Sequence, residues 1–539
     1  MECGTAIADV LCGDVNPSGK LVDTIVYDYA DYPSANCFNY NKRETKYEEG
    51  IFVGYRYFET FAKDKVMYPF GFGLSYTEFE YSDYTFSVEK DTITVSVNVT
   101  NVGDLSGREV VQVYCAAPQG KLEKPAIELK GYAKTKELEK GETENVKVCF
   151  YDVSEGKADL CQFINQMNVE ELISLSLGQP LAFPEGTSGV GNLKKYGVPN
   201  PQTADGPVGI RRSVNTTCFP CATLIACSWD SELQYAMGAA MGYEGYSTGI
   251  DVLLGPAMNI HRNPLGGRCF EYFSEDPLIT GKAAAALVNG MQSQGLCATI
   301  KHFAANNCED FRNINNSIVE ERALREIYLK GFEIAVKESN PAYIMTSYNL
   351  LNGEHISANA QLLRGVLRDE WKYEGATMTD WRNGVPLTSE IIAGNNIKMP
   401  FGYPDEGEKV LQAYKNGQIS LSILRENAYY CNPRGRKKIV FGIGHCIFDK
   451  FPKTHFNGDI LGEPAGREFC SLNSGAWVEE EKFVIRCNII DDYVGNLTIT
   501  IGFKEDNVAL SMYKNAQFFL KEYDGYASGV RKEPKNYVE

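Results

Sequence analysis

Four polar clusters in this chain each follow a short apolar run, a fifth lies in a turn upstream, and together they hold the residue types of acid–base and nucleophilic chemistry. Asp380 comes directly after Ala376-Thr377-Met378-Thr379 and is followed by Trp381. Lys301 and His302 follow Ala298-Thr299-Ile300, and Thr346, Ser347, Tyr348 and Asn349 follow Tyr343-Ile344-Met345. Val252-Leu253-Leu254 leads into a stretch with Asn259, His261 and Arg262, then into Gly267-Arg268-Cys269-Phe270-Glu271. Upstream, Asp205 lies in the turn Ala204-Asp205-Gly206-Pro207. A charge placed straight after a buried strand is costly unless it is paired or used. A carboxylate such as Asp380 can serve as a nucleophile. Asp, Lys, Arg and His around it suit a polyhydroxylated ring, which they would hold by charge-assisted hydrogen bonds, while Trp381 offers a flat apolar face. A different chemistry, Schiff-base formation at Lys301, uses the same kind of position. Each cluster alone also has a structural reading: Asp380 as a helix cap, Arg268 and Glu271 as a surface pair, Lys301 as a snorkelling side chain, Trp381 as a core residue. Five clusters at five successive strand ends favour one shared site.

The elements that would position these residues alternate strand with helix. Between residues 155 and 430, brief apolar strands are separated by amphipathic segments. Leu324, Ile327, Tyr328, Gly331, Phe332 and Ala335 mark one helical face, and Leu362, Leu363, Val366 and Leu367 another. Repeated strand-then-helix over this length predicts a (β/α)8-type barrel, whose active residues lie at the C-terminal ends of its strands. Residues 76–154 read differently. Ile93, Val95, Val97 and Val99 alternate with polar residues, as do Val111, Val113 and Cys115, and then Val146, Val148 and Phe150. With a turn at Asn101-Val102-Gly103-Asp104, that pattern predicts a β-sandwich. Residues 1–75, rich in Gly, Tyr and Asp with a turn at Asn16-Pro17-Ser18-Gly19, read as the end of a domain, not a whole one. Residues 431–539 read as a small β-rich domain with Asn432 to Lys438 as its linker. A hairpin turning at Gly495-Asn496 and a short helix around Lys514 to Tyr523 are expected within it.

Composition excludes several function classes. At 539 residues the chain is long enough for several domains. A net charge of −17 argues against nucleic acid and anionic membranes as partners. There is no apolar run of transmembrane length, and the N-terminus lacks a basic-then-apolar leader. The 16 cysteines show no framework spacing and are expected as reduced thiols of a cytoplasmic protein. Cys218 and Cys221 form a close pair, but no second pair follows to complete a metal site. The five histidines include no His-Glu-x-x-His, so no catalytic zinc is expected.

Several segments together resemble glycoside hydrolase family 3: Ala204-Asp205-Gly206-Pro207, Gly267 to Glu271, Tyr272-Phe273-Ser274-Glu275-Asp276-Pro277, Lys301-His302-Phe303-Ala304 and Thr379-Asp380-Trp381. Tyr68-Pro69-Phe70-Gly71-Phe72-Gly73-Leu74-Ser75-Tyr76-Thr77 is similar to the family segment that leads into a fibronectin-type-III-like domain. The resemblance covers roughly residues 1–430 and implies reversed domain order, with the end of the α/β-sandwich domain and the fibronectin-like domain before the barrel. It implies a retaining enzyme that releases β-linked glucose or xylose from small oligosaccharides or aryl glycosides, without metal or cofactor. Asp380 is then the nucleophile. Asp205, Arg268, Lys301 and His302 bind the sugar, Tyr348 lies near the nucleophile and Trp381 lines the pocket. In the family the acid/base glutamate normally comes from the α/β-sandwich domain, of which only the end is recognisable here. The chain is therefore expected to be N-terminally incomplete, and a weakly active or merely sugar-binding member is the alternative. Glu275 and Glu309 fall in motifs the family does not use for acid/base work, so that role is left unassigned. An exposed sandwich remnant invites a second copy as partner. Residues 431–539 faintly resemble the C-terminal region of β-lactamase-like serine hydrolases, and no hydrolase activity is expected of them.

Overall fold

The computed structural model describes residues 2–38, 43–89, 92–149, 167–179, 188–191, 200–211, 215–400 and 404–431, and strand backbone between 442 and 530. Its central sheet sets Gln202–Asp205, Val252–Leu254, Cys297–Phe303, Tyr343–Thr346 and Ala376–Thr379 side by side in chain order, all parallel. Ser188–Gly189 pairs antiparallel at one edge. Beyond the other edge, single bridges join Met378 to Ile397, Lys398 to Leu177 and Gln179 to Gly189, so the pairing curls from the last strand back toward the first. Among the described residues, five parallel strands and these bridges stand where the repeated pattern suggested eight regular strands. Near Ile397 and Leu177 the chain makes only one-residue contacts with the ladder.

The strands are near-continuous apolar runs because both faces are covered. Alternate residues belong to two clusters, as the twofold period of a strand requires. Leu253, Ala298, Ile300 and Ile344 join Met237, Leu287 and Phe332 in one. Val252, Leu254, Tyr343, Met345 and Met378 join Leu172, Ile391 and Met399 in the other. The helical face read from 324 to 335 is buried throughout, although its first turn is wide, with Leu329 N bonded to Leu324 O.

Phe79–Glu89, Thr92–Asn101 and Thr143–Cys149 form a three-stranded antiparallel sheet, and Val110–Cys115 pairs with Glu128–Lys134. Val97, Val99, Val111, Leu138 and Val146 make a separate core between them. The turn at Asn101 forms as an Asx turn, Asn101 Oδ1 accepting from Gly103 N at 3.1 Å.

Residues 20–56 are stitched onto the central sheet by buried polar contacts. Ser274 Oγ donates to Val22 O, the Glu275 carboxylate accepts from Thr24 and Tyr55, and Asp276 takes Tyr55 Oη and the Arg56 guanidinium, each at 2.9 Å, while capping the helix Pro277–Ser293. Glu44–Lys46 adds a parallel strand to Asn316–Ile318. The Ser274-Glu275-Asp276-Pro277 motif is thus an assembly element.

The described C-terminal strands form one mostly antiparallel sheet. Gly495 and Asn496 lie inside the strand Val494–Lys504, paired with Ile489 and Asn488, so the hairpin turns after Ile490, earlier than expected. Lys514 and Asn515 are strand, not helix. The linker from Asn432 and residues 516–523 lie outside the described residues, as does the boundary near 154. Ser511-Met512-Tyr513-Lys514 spells the Ser-x-x-Lys pattern, but it does so on extended backbone in the strand Asn507–Asn515. A helical turn is what brings positions i and i+3 together.

Candidate active site

The polar clusters converge because parallel strands in register end together. Asp205 pairs with Leu254 across one strand boundary, and Thr346 with Thr379 across another. A pocket of about 250 Å3 opens there, lined by Asp205, Arg268, Lys301, His302, Asp380 and Trp381, with Leu254, Met345 and Arg312. Tyr348 lies beside it.

Asp205 is carried on a turn only glycine allows: a Cβ on Gly206 would meet Gly209 O at 1.9 Å. Lys301, 4% exposed, reaches Asp205 Oδ1 at 3.0 Å. Burial acts to raise the Asp205 carboxyl, but Lys301, Arg211 and the Gly206 N–H together outweigh it and hold the group below its usual value. Lys301 therefore does not snorkel. It is held in an ion pair with Asp205.

His302 is clamped by its backbone. Asn259 Oδ1 accepts from His302 N and Asn259 Nδ2 donates to His302 O, both at 2.9 Å. Its Nε2 stands 3.7 Å from Asp380 Oδ2. Burial, then Arg268, Lys301 and Arg312, push the imidazole well below its usual pKa, so it is neutral near pH 7. Arg268 is fixed by a close Nε contact to Glu271, itself buried, so the pair is not a surface one.

Asp380 caps no helix: the next one, Leu387–Ala393, begins seven residues on. Its Oδ1 accepts from Trp381 N at 2.7 Å, which turns the carboxylate back over the strand end. Burial raises its pKa, opposed by that N–H and by Lys301 and Arg268. Tyr348 Oη donates to Trp381 O at 2.7 Å and lies beside the Asp380 carboxylate. Trp381 is half-buried, one side against the core and one lining the pocket.

Arg312 was not read from the sequence. It sits 4.4 Å over the Tyr348 ring and bonds Glu309 at 2.7 Å. No periodic element carries it. The only signal was a charge in the polar loop after Lys301-His302. Glu309 is held by Arg312 and Asn306. Glu275 lines a different cavity. Among the described residues no glutamate lines the pocket of Asp380, and no group of His, Cys, Asp and Glu could hold a metal ion. No described helix is long and apolar enough to cross a membrane.

Residues 183–417 match the family model described as the glycosyl hydrolase family 3 N-terminal domain, residues 1–76 its C-terminal domain, and residues 109–152 a fibronectin type III-like domain. β-Glucosidase A of Butyrivibrio fibrisolvens is 37% identical, over 75% of this chain and 67% of its own length. The chain belongs to glycoside hydrolase family 3. Its C-terminal-domain segment precedes its N-terminal-domain segment, the reversed order. A β-glucosidase of Ruminococcus albus is 35% identical over 79% of this chain and 59% of its own length. The chain thus spans about two thirds or less of these family relatives. The crystal structure of a β-glucosidase from Paenibacillus barengoltzii is similar with a TM-score of 0.74 at 29% identity, covering 98% of this chain and 74% of that one.

Proposed function

We propose that this chain is a retaining β-glycosidase that acts through a glycosyl-aspartate on Asp380, with the catalytic barrel in residues 155–430. The observation that carries this reading is the strand-end carboxylate of Asp380, buried in a pocket with a neutral His302, the Lys301–Asp205 pair and two guanidiniums. An Asp380 oxygen attacks the anomeric carbon as the aglycone oxygen departs with the bonding electrons. Water later attacks the same carbon, gives up a proton to solvent and frees the Asp380 carboxylate. The cations and Asp205 hold the sugar hydroxyls, and Trp381 packs on the ring. β-Linked glucose at a non-reducing end is the proposed substrate, on the strength of the β-glucosidase relatives, with β-xylosides as a variant.

The test is an activated 2-deoxy-2-fluoro-β-glucoside, which slows both steps by disfavouring the oxocarbenium-like transition state. A covalent adduct on the peptide containing Asp380 is expected in the mass spectrum. An adduct elsewhere, or none while turnover proceeds, overturns the reading. Sugar binding without turnover is the second reading, favoured by the lack of a glutamate among the described pocket residues. Under it, glucose raises the melting temperature while no aryl glucoside is cleaved.

A further inference from the structure

Behind the Asp380 pocket a line of hydrogen bonds runs from Glu309 through Asn306 and Tyr272 to His302, and each group fixes the direction of the next. Asn306, Tyr272 and His302 are each 2% exposed or less. Glu309, paired with Arg312 at 2.7 Å, is an acceptor. Asn306 Nδ2 lies 2.8 Å from Glu309 Oε1, so this end of the amide is its NH2. The same Nδ2 donates to Tyr272 Oη at 3.2 Å. Tyr272 therefore receives the Asn306 proton and has one of its own to give. Burial, with Glu271 and Glu309 against Arg268, holds the phenol well above its ordinary 10, so that proton stays. Two acceptors lie within its reach, Asn306 O at 3.3 Å and His302 Nδ1 at 3.5 Å.

The far side of the imidazole decides how that proton is used. His302 Nε2 stands 3.7 Å from Asp380 Oδ2. A neutral imidazole carries one ring proton, on one nitrogen or the other. An ionised Asp380 only accepts, so a lone pair on Nε2 would face it unfavourably, and the ring proton belongs there. Nδ1 is then a bare acceptor in the interior, where an acceptor left without a donor is destabilising. The Tyr272 hydroxyl is its hydrogen-bond partner among the described residues, and Asn306 O can share the same proton in a three-centre bond. We propose that Tyr272 is a positioning residue that holds His302 in its Nε2–H form, so that the imidazole turns a donor, not a lone pair, toward Asp380 and the pocket. The consequence for turnover rests on the glycosidase reading: a sugar hydroxyl beside Asp380 accepts from Nε2, and without Tyr272 the ring loses the group that keeps its proton on that side.

Proton–nitrogen NMR correlation of the full chain, labelled in its five histidine rings, tests this. The His302 signals are those lost in His302→Gln. In the parent chain near pH 7, Nε2 is expected to carry the proton and Nδ1 to resonate as a bare nitrogen that accepts a hydrogen bond. In Tyr272→Phe the Nδ1 signal should move to the position of a free imidazole nitrogen or the two tautomers should mix, and kcat/KM on an aryl glucoside should fall about tenfold. A proton on Nδ1 in the parent chain, a bare Nδ1 already at the free position, or His302 signals unchanged in Tyr272→Phe each overturns the proposal. If Tyr272→Phe does not fold, the parent spectrum decides alone. A parent chain that cleaves no glycoside sinks the glycosidase reading and removes the rate comparison, while the spectra still decide the tautomer.

Discussion

At the scale of single residues, the Asp380 pocket places one buried carboxylate against a neutral imidazole and three cations, and this sets its pH behaviour. In the proposed mechanism Asp380 must be ionised to attack. Its carboxyl is raised above 3.8, chiefly by burial, so the acid limb of kcat/KM should lie above that of a free aspartate. Turnover should fall as pH drops through the raised value and recover on return. Asp380→Asn, nearly isosteric and a far weaker nucleophile, should abolish turnover while circular dichroism stays that of the parent chain. Arg312→Ala removes a guanidinium that lines the pocket and stacks on Tyr348. Loss of one charge-assisted contact should lower kcat/KM about tenfold or more, measured on an aryl glucoside. An unchanged value would place Arg312 outside the sugar's reach.

At the scale of elements, two buried acids hold the loops around the site. Lys398 reaches Glu390 Oε2 at 3.1 Å, with both side chains almost wholly enclosed. The lysine also bonds Asn383 Oδ1 and Val385 O, in the loop that follows Asp380 and Trp381. Lys398→Met leaves Glu390 unpaired in the interior and should cost about 3–5 kcal/mol in urea unfolding. Glu275 belongs to the seam between residues 20–56 and the sheet. Its folded pKa, about 7, lies above its ordinary 4.5, so the folded state holds the proton more tightly. That contribution is full below about 4.5, shrinks as pH rises, and is gone above about 7. Glu275→Gln should flatten this part of the melting-temperature profile relative to the parent chain. His261, raised through Asp23, adds a loss in the same direction that the variant leaves in place.

For the whole molecule, the acid/base group decides what the enzyme can cleave. Among the described residues Asp205 is the other carboxylate lining the Asp380 pocket, and Lys301 engages it. General acid catalysis is worth roughly 10²–10⁴-fold, most for poor leaving groups. Cellobiose should therefore be cleaved far more slowly than an aryl glucoside with an acidic phenol. Azide should speed the latter and give a β-glucosyl azide, because an anion needs no base to attack the glycosyl-enzyme. Equal rates and no azide effect would mean that a proton donor outside the described pocket residues completes the site.

The strands and the residues at their ends were legible in the sequence, because a buried parallel strand must be apolar on both faces and any charge beyond it must be used or paired. Asp205, Arg268, Lys301, His302 and Asp380 were therefore visible together, and their motifs marked the family. The wide turn at Leu324 left the apolar face intact, so the helix was readable although its hydrogen bonding was not. Other features had no local signature. Glu275 looked like a spare acid until Thr24 and Tyr55, more than 200 residues away in the chain, were seen to hold it. Arg312 lies in a loop without period, and only its stacking on Tyr348 shows where it points. Gly495-Asn496 has a turn's residue types, yet strand pairing set the register and moved the turn upstream. Periodicity records which side chains must leave water, and so it determines elements and the chemistry at their ends. Which distant groups meet depends on contacts between segments far apart in the chain, and the tertiary structure alone decided that.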